Sequence, residues 1–280
     1  MKRCLVGSEM CIRDRGRALE HLFEDSPGEY DVTLFGAEPR GNYNRIMLSP
    51  VLSGEKTYDE IITHDAAWYE ENGVNCRFGE TVTRIDRERK VVSSAKGETP
   101  YDKLLIATGS APFIIPVPGK DLPQVITYRD LDDVHLMLEA AAKKDQKAVV
   151  IGGGLLGLEA AAGLHMRGMQ VTVLHLMGHL MERQLDPAAS YLLKQELESR
   201  GISVLTKAST KAILGHDKVD AVLLDDGTVI DADLVVMAVG IRPETRIATD
   251  AHLTIERGIL VNDQMAVSYT HLTLPTTEYV

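Results

Sequence analysis

Apolar positions recur at helical spacing over residues 17–25, where Ala18, Leu19, Leu22 and Phe23 share one face, and Ser26-Pro27-Gly28 ends the pattern. A helix and a turn are predicted. The β-rich run 31–35 comes next, so the chain reads as entering a βαβ unit after its first strand, with that unit's glycine turn missing. Residues 64–72 read as helix, 74–78 as strand, 82–85 with 90–93 as a hairpin, and 103–108 as a buried strand. A second unit is sharper: strand 148–151, a glycine turn, helix 156–166, strand 171–174, helix 187–199 and strand 202–205. Asp225-Asp226-Gly227 turns a late hairpin, and 234–239 is one more buried strand. Strands alternating with helices predict an α/β protein with mainly parallel sheets.

Both ends break this pattern. Residues 10–14 and 267–271 can be encoded by reverse-complementary DNA, and the flanking stretches look like translated sequencing-adapter tails. Residues 1–15 and 267–280 are therefore read as adapter-derived and non-native, leaving an internal fragment of a longer protein truncated at both ends.

Composition narrows the function. Lysine plus arginine number 30 against 41 acidic residues, a net charge of −11, which repels nucleic acid and anionic lipid surfaces. No apolar run approaches the roughly 18 residues of a membrane span. The three cysteines, Cys4, Cys11 and Cys76, form no Cys-x-x-Cys pair, so neither a dithiol redox site nor a zinc ribbon follows, and no metal site is expected. Cytoplasmic residence is the default.

The chemistry lies in Val149-Val-Ile-Gly152-Gly-Gly154-Leu155-Leu156-Gly157-Leu-Glu159, a Gly-x-Gly-x-x-Gly sequence between a predicted strand and a predicted helix. Gly152 permits the tight turn, Gly154 lets backbone amides approach a pyrophosphate, and Gly157 lets helix and strand pack closely. The pyrophosphate would sit at the positive end of the helix. Glu159 is read either as a cofactor-facing residue or as a solvated helix residue. The second strand should end in an acid for the adenosine ribose. His175 stands there instead, able to donate to a ribose hydroxyl, to favour a 2′-phosphate when protonated, or to be a tolerated surface histidine, so NADH and NADPH are not distinguished.

Lys103-Leu-Leu-Ile-Ala107-Thr108-Gly109 and Leu234-Val-Val-Met-Ala238-Val-Gly240 have the same form about 130 residues apart. With the glycine turn, they resemble the two-dinucleotide flavoprotein reductases. Thr33-Leu-Phe-Gly-Ala-Glu38-Pro-Arg-Gly-Asn-Tyr43-Asn-Arg45-Ile-Met-Leu-Ser49, with Leu180-Met-Glu182-Arg-Gln-Leu-Asp186, is similar to the N-terminal flavoprotein module of the large subunit of assimilatory NAD(P)H nitrite reductases. The resemblance spans residues 16–266. It implies two Rossmann-like domains with the NAD(P) domain inserted in the FAD domain: 16–112 and 241–266 for FAD, lacking the first strand and glycine turn, and 113–240 for NAD(P)H. It also implies FAD contacts at Glu38 (adenosine ribose), Arg45, Ser49, Thr108 and Gly109. Gly152, Gly154, Leu155, Leu156, Gly157, Glu159, His175 and Gly240 fall to NAD(P)H. Ferredoxin-type relatives carry Lys where this chain has Pro50, and disulfide-reducing relatives carry a cysteine near that point; Cys76, on a predicted strand, is read as a small core residue.

The activity so implied is hydride transfer from NAD(P)H to FAD, with electrons passed onward to an iron–sulfur cluster and a sirohaem for nitrite reduction to ammonium. Those centres belong to a C-terminal part outside this chain, and a small subunit is a further partner. A stand-alone rubredoxin or ferredoxin reductase is the rival enzyme, and a non-catalytic NAD(P)-binding module the rival of another class.

Overall fold

Backbone hydrogen bonding organises the chain around two parallel sheets. The computed structural model describes residues 2–7 and 12–267, with side chains from Arg15 onward. Its α-helices are α1 (Ile12–Asp25), α2 (Leu48–Ser53), α3 (Ala66–Glu71), α4 (Leu131–Ala141), α5 (Leu155–Met166), α6 (Pro187–Ser199) and α7 (Arg246–Asp250). Two units are formed among the described residues. The first comprises the residues up to Tyr43, Thr63–Ala111 and those from Arg242 on; the second comprises Asn44–Ile62 and Pro112–Ile241.

In the first unit the parallel sheet runs Asn75–Phe78, Asp31–Gly36, Lys2–Gly7, Lys103–Ala107. The period-two alternation of a strand sends Val32 and Leu34 to one face, against Leu19 and Tyr69, and Phe35 to the other. There Phe35 meets Val82, Ile85 and Val92 of the antiparallel strands Val82–Asp86 and Val91–Ser94, together with Ile247, Ala248 and Leu253 around α7.

One expectation is corrected here. A first strand was thought to be missing, yet Lys2–Gly7 takes the central place in this sheet, paired with Asp31–Gly36 and Lys103–Ala107. A parallel ladder is made of main-chain N–H and C=O groups, which any non-proline run supplies, so a run with no apolar periodicity can still fill the gap. The glycine turn expected next would fall at residues 8–11, outside the described residues, as does the stretch from 268. Arg15 is buried, its Nη2 donating to Asn42 Oδ1 at 2.8 Å, and Val267 bridges to Val261.

The second unit orders its parallel sheet Ser203–Thr206, Gln170–His175, Lys147–Ile151, Leu234–Met237, Val125–Thr127. Ala148 to Ile151 and Leu234 to Met237 are buried on both faces, as strands covered on two sides must be. Val149, Ile151, Val235 and Met237 pack against Ile213, Val219 and Val222 of a three-stranded antiparallel sheet, whose hairpin turns at Gly227 (φ +90°). Helix α6 starts where its sequence says it should: Asp186 caps the Ala189 N–H and Pro187 occupies the first turn.

Residues 44–62, expected within the first domain, group with the second unit. Helix α2 lies on α5 at Gly163, where an added Cβ would come 2.8 Å from Leu52, and Arg167 at the end of α5 donates to Leu52 O (2.6 Å) and Val51 O (3.2 Å). No described helix is long and apolar enough to cross a membrane.

Candidate dinucleotide site

The strand Lys147–Ile151 delivers the chain to Gly152, whose N–H donates to Leu174 O (2.8 Å). Gly152 has φ +127°, and a Cβ there would lie 2.2 Å from Ala238 O; one on Gly157 would lie 1.9 Å from Gly152 O. Both glycines are thus demanded by the protein's own backbone. Gly154 differs. It precedes α5 with ordinary extended geometry (φ −86°, ψ −179°), and a Cβ on it would meet no atom within 4 Å. The open backbone at this position fits a group brought in from outside. No side chain caps α5, so its first-turn amides remain available to an anion, and Leu155 and Leu156 of that turn are exposed. The residues present therefore fit a dinucleotide pyrophosphate. Gly240 (φ +112°) lies two residues beyond Ala238 and accepts from Phe113 N–H at 2.8 Å.

His175 is buried, which removes the reading of a surface histidine, and its ring is hydrogen-bonded through Nδ1 alone. Nδ1 accepts from Gly153 N–H at 3.1 Å, so the neutral ring carries its proton on Nε2, and Nε2 lies 3.1 Å from Glu182 Oε2. Gly153 has no room for a side chain: a Cβ would meet Leu180 at 2.5 Å and His175 at 2.8 Å. Met181 N–H donates to Gly153 O at 2.9 Å. Sequence reasoning missed Gly153 and Glu182. Their only linear signals were the third glycine of the turn and the Leu-Met-Glu run.

A second cluster of this unit joins α2 to α5. Ser49 Oγ is 2.6 Å from Glu159 Oε2 and 3.0 Å from the Tyr128 hydroxyl, so Glu159 is a partnered residue and not a solvated one. Burial pushes the Tyr128 phenol well above the ordinary tyrosine range. Next to it, Asp133 at the start of α4 accepts from Arg129 N–H (2.6 Å) and forms a capping box with Asp130; burial first, and then the Asp130 charge, lift its carboxyl to about 7. Arg45 donates to Arg129 O at 3.3 Å.

Within the first unit, Glu38 follows the strand Asp31–Gly36, where an acid can meet a ribose. It is buried, its Oε2 accepting from the Tyr43 hydroxyl at 2.6 Å, with Arg40 Nη1 at 3.8 Å. Thr108 and Gly109 are tied to one residue: Thr108 Oγ1 donates to Glu244 O (2.7 Å) and Glu244 N–H donates to Gly109 O (2.9 Å), with Gly109 at φ +67°. Burial pushes the Cys76 thiol up to about 11, so it carries no thiolate near neutral pH.

The chain is similar in sequence and fold to known reductases. The chain is 49% identical over 257 residues to the nitrite reductase [NAD(P)H] of Bacillus subtilis (strain 168), covering 91% of this chain and 32% of that protein. It is 42% identical to the assimilatory nitrate reductase electron transfer subunit of the same organism, covering 92% of this chain and 33% of the relative. The chain thus spans about a third of the length of these curated relatives. Among solved structures, the putidaredoxin reductase–putidaredoxin complex superposes with a TM-score of 0.85 at 28% identity, covering 95% of this chain and 64% of that one. Residues 17–272 match the pyridine nucleotide-disulphide oxidoreductase family, and to that family this chain belongs.

Proposed function

We propose that this chain is the electron-input module of an assimilatory nitrite reductase, taking hydride from NAD(P)H onto FAD and sending electrons to iron–sulfur and sirohaem centres encoded beyond it. Its strongest support is the 49% identity to the Bacillus subtilis nitrite reductase, sustained over 91% of the chain. When bound, nicotinamide and flavin supply hydride transfer and single-electron release, chemistry that protein side chains lack.

The chain's own residues bind and orient. In the second unit Gly154 admits the pyrophosphate of NAD(P)H to the backbone and the α5 amides hold its charge, with Leu155 and Leu156 beside it and His175 behind the turn. Glu159, held by Ser49, faces the nicotinamide half. Within the first unit Glu38 takes the adenosine ribose of FAD, and Thr108 and Gly109 line the flavin nucleotide. The reading includes cytoplasmic residence and a small subunit as partner.

The test is made on the full-length protein that carries this segment. It should oxidise NAD(P)H with nitrite and release ammonium. Deleting the part that follows this module should abolish nitrite reduction while sparing NAD(P)H oxidation by ferricyanide. Nitrite reduction by the module alone would overturn the division of labour, and a full-length protein ending soon after the flavin domain would make it a rubredoxin or ferredoxin reductase.

A further inference from the structure

The geometry points to Glu182 as the residue that selects NADH over NADPH: we infer that its carboxylate takes the adenosine ribose hydroxyls, a task His175 cannot perform from the strand end. The inference rests on the dinucleotide reading of the glycine turn. His175 stands where an acid is expected, yet its Nδ1 is committed to Gly153 N–H and its Nε2 is buried out of reach of a ligand, 3.1 Å from Glu182 Oε2 without forming a hydrogen bond to it. Turning the ring toward a ribose would strip a buried amide of its acceptor. His175 is thus a residue that holds the turn, and the group that lies beside it is a carboxylate.

Glu182 lies seven residues further along the chain and is carried back by a built loop. Met181 holds φ +53°, uncommon for a residue with a side chain, while its N–H donates to Gly153 O. Leu180 is fully buried and presses on Gly153. Together these hold the segment against the carboxyl end of the sheet. A carboxylate offers about four lone-pair directions, and His175 makes no hydrogen bond to any of those of Glu182. The Glu182 side chain is 30% exposed against 8% for His175, so its remaining acceptor capacity faces solvent beside the turn. Ribose hydroxyls are donors that such an oxygen takes; the 2′-phosphate of NADPH is an anion that it repels. Two exposed cations compete: Arg183, which follows Glu182 directly, and Lys207, which is placed by its N–H bond to Met177 O (3.0 Å) and stands at Gly178, beyond His175.

Dissociation constants for NADH and NADPH, measured by calorimetry on the full-length protein and on its Glu182→Gln and Lys207→Ala variants, test this, with thermal melting as the check on folding. The parent should bind NADH about tenfold or more tighter than NADPH. Glu182→Gln should weaken NADH and strengthen NADPH until the ratio approaches one, while Lys207→Ala leaves the ratio near that of the parent. A parent that prefers NADPH, or a folded Glu182→Gln protein with the parent's ratio, overturns the inference and leaves the dinucleotide reading standing. Failure of the parent to bind either nucleotide overturns both.

Discussion

Ser49 Oγ donates to Glu159 Oε2 across 2.6 Å, and because a hydroxyl has one proton, Tyr128 must be the donor in its own 3.0 Å contact with Ser49. One small side chain therefore joins α2, the loop ahead of α4, and α5. Ser49→Ala should leave a part-buried carboxylate and a buried phenol short of a partner, costing about 1–3 kcal/mol. Tyr128→Phe, which removes only the donor, should cost about 1 kcal/mol. Urea denaturation measures both, and equal stability of Ser49→Ala and the parent would contradict the arrangement.

The glycines of the turn should separate by role. Gly152→Ala and Gly157→Ala drive a methyl into backbone carbonyls at 2.2 and 1.9 Å and should each destabilise by about 3 kcal/mol or more. Gly154→Ala meets nothing and should stay within about 0.5 kcal/mol of the parent. The bulkier Gly154→Val should melt near the parent temperature yet lose NADH binding in a fluorescence titration. Undiminished binding would remove Gly154 from the pyrophosphate site.

Asp133 makes stability depend on pH in a defined direction. Its carboxyl, lifted to about 7 in the folded chain chiefly by burial, returns to about 4 on unfolding. Between those values the folded state holds a proton that the unfolded state has released, so the contribution of this group to stability is full below about 4 and falls as the pH rises to about 7. Above that it is flat. Asp133→Asn should flatten the difference between denaturation midpoints at pH 5 and pH 8; an unchanged difference would assign it to other groups.

Arg167 holds the C-terminal carbonyls of α2 with a fork, Nε to Leu52 O at 2.6 Å and Nη2 to Val51 O at 3.2 Å. Arg167→Ala should lose about 1–3 kcal/mol of stability. Arg167→Lys should recover only part of it, since a single ammonium cannot reproduce two fixed donors. Chemical denaturation of the three proteins side by side distinguishes them, and full recovery by lysine would show that charge alone matters.

The elements legible in the sequence were those whose cause is local. Helix α6 carries its own Asp186 cap and Pro187 start, the strand 148–151 is a short apolar run that is β-branched from Val149 to Ile151, and Gly152 and Gly157 have the spacing that a strand–turn–helix joint requires. Those features act over a few residues and survive in a linear reading. Helix α2 did not: six residues with no capping side chain, held by Arg167 and by the recess that Gly163 leaves for Leu52, more than a hundred positions away. The strand Lys2–Gly7 was invisible for a related reason, since its ladder consists of main-chain groups that hydrophobic pattern does not report. At the site, the sequence determined that a glycine turn meets a histidine at the end of the next strand. Only the tertiary structure decided what that histidine does, because the direction of an imidazole depends on what approaches each nitrogen, here the Gly153 amide on one side and Glu182, returned by the left-handed turn at Met181, on the other.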